Sequence, residues 1–148
     1  MTRFYLMRHG QTLFNTLNRI QGWCDSPLTE KGRDQARQVR AYFEKHHMTF
    51  DHYYCTTTER ASDTLELATG RTDYKRVKGL KEFHFGIFEG QPEYLHPKTQ
   101  ILGHFGDHYA QFGGESQTQF VERVVNCARE IVDKHPDQSI LAVVTQEP

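Results

Sequence analysis

The chain has 148 residues, 36% of them apolar and 25% charged, with a mean hydropathy of −0.73. That length suits a single domain over 1–148 that buries roughly two thirds of its unfolded surface, and leaves no room for a second. Eighteen Lys and Arg against 19 Asp and Glu give a formal charge of −1, so no net field recommends nucleic acid or anionic lipid, and any anion site has to be local.

In chain order, Phe4 to Met7 is a short apolar, aromatic run that stops at Arg8-His9-Gly10, the pattern of a buried strand ending in a turn. Thr29 then caps a helix with an inward stripe of Ala36, Val39, Tyr42 and Phe43, ending near His46-His47. Tyr53-Tyr54-Cys55 reads as a second strand, and Thr58 caps a helix carrying Ala61, Leu65 and Ala68 on one face before Gly70. Tyr74 to Val77 is a candidate short strand, and Leu80 to Gly114 reads mostly as loop. From Ser116 the stripe Phe120, Val124, Cys127, Ala128 and Ile131 marks a helix closed by His135-Pro136, and Ile140 to Thr145 is a continuous apolar strand. Strands alternating with helices imply an α/β fold with a parallel-type sheet covered on both faces.

The longest apolar run, Ile140–Val144, has five residues where a bilayer helix needs ~20, and the N-terminus lacks a charged-then-apolar leader. No membrane partner and a cytoplasmic location are therefore expected. Cys24, Cys55 and Cys127 are odd in number and lack CxxC spacing, so they are read as reduced thiols. His96, His104 and His108 share a loop-like region without a carboxylate or Cys partner; they are read as surface residues, and neither metal nor cofactor is expected.

Ligands of open α/β sheets bind beyond the carboxyl ends of the strands. There the sequence places Arg8-His9-Gly10-Gln11-Thr12 with Asn15 close behind, Thr56-Thr57-Thr58-Glu59-Arg60, and Gln146-Glu147-Pro148. Two arginines and a histidine thus converge. A guanidinium presents a planar fork of donors to phosphate oxygens, and an imidazole among such cations stays neutral and nucleophilic, which suits phosphoryl transfer without a metal. Taken alone each element is weak: Arg60 on a first helical turn is usually solvated, and Glu82 alone reads as an exposed loop acid.

The conjunction resembles the histidine phosphatase superfamily, also called phosphoglycerate mutase-like, whose hallmark Arg-His-Gly follows the first strand. Here it stands as LMRHGQTLFN, Leu6 to Asn15. The resemblance continues through QGWCDSPLTEKGRDQA (Gln21 to Ala36), TTTERASDT (Thr56 to Thr64), LKEFHFGIFEG (Leu80 to Gly90) and Gly113-Gly114-Glu115-Ser116. It implies a three-layer α/β/α sandwich with a mostly parallel sheet, here without the usual C-terminal elements. It also implies that His9 becomes phosphohistidine, that Arg8 and Arg60 bind the phosphoryl oxygens with Asn15, Gln21 and Gly22 lining the same pocket, and that Glu82 donates the proton. A carboxyl group withdrawn from water is suited to that last role. Glu115 is either a charge favoured by a helix N-terminus or a substrate contact. Trp23 and Phe85 are read as packing residues.

One departure stands out. The family carries a second histidine after the later core strand, whereas here Thr145 and Gln146 occupy the Ser and His places and the sequence stops at Pro148. Gln donates a neutral hydrogen bond but carries no positive charge, and losing one preorganised group costs about 10²–10³ in rate. The chain is read as C-terminally incomplete, leaving a sheet edge that invites a homodimer. Only 24 residues separate Gly90 from Glu115, fewer than the mutase branch of the family carries there, so the resemblance implies a phosphatase of small phosphomonoesters rather than a mutase, with selectivity in the Leu95 to Phe112 loop. The alternatives are a mutase-type phosphotransferase, a degenerate phosphate-binding protein supported by Gln146, and an oligomeric interaction module.

Overall fold

The computed structural model describes residues 1–97 and 105–145; His104, Gln146 and part of the Leu95 to Phe112 loop lie outside them. Among the described residues four strands, β1 (Arg3–Arg8), β2 (His52–Cys55), β3 (Lys75–Arg76) and β4 (Ser139–Val144), form one sheet in the order β1-β4-β2-β3, with each strand pairing in it parallel. The helices are α1 (Leu13–Leu17), α2 (Glu30–Lys45), α3 (Glu59–Thr69) and α4 (Gln117–Lys134).

Alternation along the strands splits the core into two layers. Met7, Cys55, Leu141 and Val143 face Phe43 of α2 and Ala61 and Leu65 of α3. Phe4, Tyr54, Ile140, Ala142 and Val144 face Val124, Cys127 and Ile131 of α4. The central strand β4 is buried from Ile140 onward, as a strand covered on both faces should be. Helices α2 and α3 on one face and α4 on the other make the three-layer α/β/α architecture expected.

Each long helix begins where a side-chain oxygen accepts a backbone N–H. Thr29 Oγ1 takes Gly32 N, Thr58 Oγ1 takes Ala61 N, and Ser116 with Gln119 forms a reciprocal capping box. Gly70 ends α3 in the left-handed conformation. The three cysteines are free. Among the described residues no helix is long and apolar enough to cross a membrane.

Three expectations need correction. β1 is an edge strand rather than a buried one, with Leu6 59% and Tyr5 38% exposed, because only β4 pairs with it among the described residues. Tyr42 is exposed: α2 buries the stripe Gly32, Ala36, Val39 and Phe43, and Tyr42 lies about 100° round the helix from Phe43. His96 and His108 are half-buried members of an aromatic cluster rather than surface residues. His96 hydrogen-bonds Tyr109 and contacts Phe85 and Phe105, while His108 packs on Phe88 and Phe112. The described parts of the Leu80 to Gly114 segment are irregular as expected, with short 3₁₀ turns between stretches of coil.

Candidate active site

The site lies at the carboxyl end of the sheet, where β1, β2 and β4 release their chains. The amide of His9 donates to Val144 O and that of Thr56 to Val143 O, so the ladder holds the first residues after β1 and β2 against β4. His9 is 6% exposed. Its Nδ1 lies 2.6 Å from Gly10 O, and since a carbonyl only accepts, Nδ1 carries the proton and donates. Nε2 is left with its lone pair, buried and without a hydrogen-bond partner in the protein. Burial above all, with the Arg60 and Arg8 charges assisting, lowers the His9 pKa from 6.5 to about 4 against the opposing Gly10 hydrogen bond.

Arg60 is fully buried, not solvated. Its Nη1 donates to Cys24 O (2.7 Å) and to Asp25 Oδ1 (3.0 Å), and its Nη2 to Gly22 O (2.7 Å). Of the five N–H donors of a guanidinium, the Nε–H and one Nη2–H stay unused, and Nε is buried without a partner. Asp25, which balances part of this buried charge, also accepts from Glu59 N at the start of α3 (2.6 Å). Sequence reasoning did not single out Asp25 as a site residue. Its place in the Gln21 to Ala36 segment is the signal that could have found it.

The loop that clasps Arg60 is shaped by Gly22. With φ +60, and with a Cβ there meeting Phe85 Cδ2 at 2.7 Å, only glycine fits without displacement. Gln21 is buried and its Oε1 accepts from Ser26 Oγ (2.7 Å). Asn15 uses its Oδ1 to accept from Thr12 N and Thr12 Oγ1, which leaves its amide nitrogen as the group available to an anion. Arg8, at the exposed end of β1, contributes charge to His9. A cleft of about 570 Å³ opens beside Arg8 and His9 toward α2, lined also by Gln11, Asn15, Gln35 and Thr64; Arg60, Gln21, Gly22 and Glu82 are not among the residues that line it.

Among the described residues six buried side-chain N or O atoms have no hydrogen-bond partner, and five belong to residues just beyond the carboxyl ends of β1, β2 and β4: His9 Nε2, Arg60 Nε, and the hydroxyls of Thr56, Thr57 and Thr145. Buried polar groups are ordinarily paired, so five together mark a place built for a polar ligand. One is a nucleophilic lone pair, one a guanidinium N–H, and three are hydroxyls able to donate to an oxyanion.

Glu82 is 6% exposed and is tied to the Gln21–Asp25 loop through its backbone: Trp23 Nε1, from that loop, donates to Glu82 O (2.8 Å). One carboxylate oxygen of Glu82 accepts from Phe83 N (2.8 Å). Glu115 is more than a charge at a helix start, since it binds Arg123 and the His84 amide. Phe85 packs in the cluster of Phe83, Phe105 and Tyr109, and Trp23 stacks on His84 at 4.1 Å, so both pack as expected. No group of three or more His, Cys, Asp or Glu placed to hold a metal occurs among the described residues.

With this geometry in view, a family model described as the histidine phosphatase superfamily (branch 1) matches residues 4–147. Among solved structures the chain is similar to Bacillus stearothermophilus YhfR, with 31% identity and a TM-score of 0.79 over 97% of this chain and 74% of that one. It is similar to phosphoglycerate mutase from Bacillus anthracis at 26% identity and a TM-score of 0.81, over 96% and 74%. It is also similar to phosphoserine phosphatase from Entamoeba histolytica, solved with 3-phosphoglyceric acid, at 27% identity and a TM-score of 0.80 over 98% and 74%. These likenesses support a phosphatase-type function in coarse terms.

Proposed function

The chain belongs to the histidine phosphatase superfamily (branch 1), and from that premise we propose that it is a metal-independent phosphatase of small phosphomonoesters acting through a phosphohistidine at His9. The observation that carries this reading is the unpartnered, buried Nε2 of His9, within reach of the Arg60 and Arg8 charges at the end of the sheet where Arg60 Nε and the hydroxyls of Thr56, Thr57 and Thr145 are also unpaired. Arg8 and the free edge of Arg60 take the phosphoryl oxygens, supplying the positive charge that a metal would otherwise bring. Asn15 adds its amide N–H, and Gln21 and Gly22 fix the loop that holds Arg60.

In the first step the Nε2 lone pair attacks phosphorus, an N–P bond forms, and the ester P–O bond breaks. The leaving alkoxide takes its proton from the Glu82 carboxyl. In the second step water attacks the phosphohistidine and gives a proton back to Glu82. The N–P bond breaks, inorganic phosphate leaves, and the imidazole returns to its starting state.

A second reading, a phosphate-binding protein without useful turnover, rests on Gln146 in the place of the second histidine. Hydrolysis of an aryl phosphate without added metal separates the two when the chain is compared with His9→Ala prepared identically. Activity that vanishes with His9 is the expected result, and equal background rates in both would leave the binding reading standing. We also propose that copies of the chain pair through the edge of β1.

A further inference from the structure

Residues Lys81 to Phe85, which carry Glu82, form no helix or strand, so something outside the segment has to hold it. Arg123, which reaches across from α4, does so with its entire guanidinium. Nη1 donates to Gly79 O (3.0 Å) and Lys81 O (2.8 Å), and Nη2 to Glu82 O (3.0 Å). The remaining donors go to Glu115, Nη2 to Oε1 (2.5 Å) and Nε to Oε2 (3.3 Å). Glu115 in turn clamps the far side of the segment: Oε1 accepts from His84 N (3.0 Å) and the Glu115 amide donates to His84 O (3.0 Å). Every donor of Arg123 is therefore used, three on backbone carbonyls around Glu82 and two on the acid that grips residue 84.

We propose that Arg123, backed by Glu115, is a positioning residue that fixes Glu82 for proton delivery to the leaving group. The assignment rests on the reading of Glu82 as the proton donor. Three carbonyls and a carboxylate need a rigid planar fork of five donors. Lysine offers three donors on a flexible stem, so Arg123→Lys keeps the charge and loses the template. The pair is mostly buried, with side chains 22% and 13% exposed, and Arg123 also lies over the rings of Trp23 and Phe120. None of its hydrogen bonds is to His9 or Arg60, and all of them fall on the segment that bears Glu82 or on Glu115, which grips that segment.

The test compares kcat/KM, which reports the step that forms phosphohistidine, for an alkyl phosphate and a nitrophenyl phosphate. The alkyl leaving group needs a proton and the nitrophenolate does not. Glu82→Gln is expected to lower the alkyl rate by about 10²–10⁴ and the aryl rate far less. Arg123→Lys and, as a near-isosteric second variant, Glu115→Gln are expected to lower the alkyl rate by about 10- to 100-fold with a much smaller loss on the aryl ester. Equal losses on both esters in both variants, or none on either, overturn the assignment while leaving the Glu82 reading intact. If Glu82→Gln itself shows no dependence on the leaving group, the proton-donor reading fails and the assignment falls with it. An inactive parent chain overturns the phosphatase reading as well.

Discussion

Burial does more than charge to decide the protonation state of His9. A histidine held neutral by burial loses stability to acid, because the unfolded chain takes up a proton near pH 6.5 that the folded chain refuses until about pH 4. The sign follows: the unfolded state binds more protons between those values, so folding weakens as pH falls through that window, by roughly 3 kcal/mol in all. Denaturant midpoints of the parent chain and His9→Asn at pH 7 and pH 4.5 check this. The parent should lose more stability than the variant on acidification, and parallel losses would refute it. The convergence of Arg8, His9 and Arg60 was legible from residues alone because each follows a strand. The dominant role of burial was not, since it depends on what packs over the ring. Asp25 and Arg123 were equally hidden: Asp25 lies 35 residues before its partner Arg60, and Arg123 serves carbonyls 41 to 44 residues away, spacings no local pattern encodes.

At the scale of elements, the joint between the first loop and α2 is backbone on backbone. A Cβ on Gly32 would lie 2.1 Å from Gln11 O, and one on Gly10 would lie 2.4 Å from Gly32 O. Replacing a helical glycine by alanine normally gains up to about 1 kcal/mol of propensity. Here a carbonyl that cannot rotate away opposes it, and overpacking of this kind costs about 1–3 kcal/mol. Gly32→Ala should therefore destabilise the fold and lower activity by shifting the residues beside His9; chemical denaturation showing net stabilisation would refute the steric argument. The caps Thr29, Thr58 and Ser116 were readable because N-capping is local chemistry. The edge position of β1 was not: Phe4 to Met7 has the composition of an interior strand, and nothing in those four residues states how many neighbours will pair with them.

For the whole molecule, that edge is the feature with an outward consequence. β1 carries Leu6 and Tyr5 into solvent, and on the face that α4 covers, Val121 and Val125 are 46% and 38% exposed. Exposed edges invite pairing between chains unless charge or a covering element intervenes. Sedimentation equilibrium over a range of concentrations should show a mass above that of the monomer, and Leu6→Lys should abolish the excess. A monomer at every concentration would end the homodimer proposal. The sheet order itself was only partly legible, since alternating strands and helices imply parallel pairing but do not say that β4 inserts between β1 and β2.

Trp23 is the only tryptophan in the chain, and it sits with one ring face on His84, Lys81 Nζ 4.6 Å from its centre, and its indole N–H on Glu82 O. The protein thus contains its own optical probe at the joint between the loop that grips the phosphate-binding arginine and the segment that bears the acid. Light absorbed by indole alone reports on that joint and nowhere else. Occupancy of the pocket should appear as a change in emission without any label being attached.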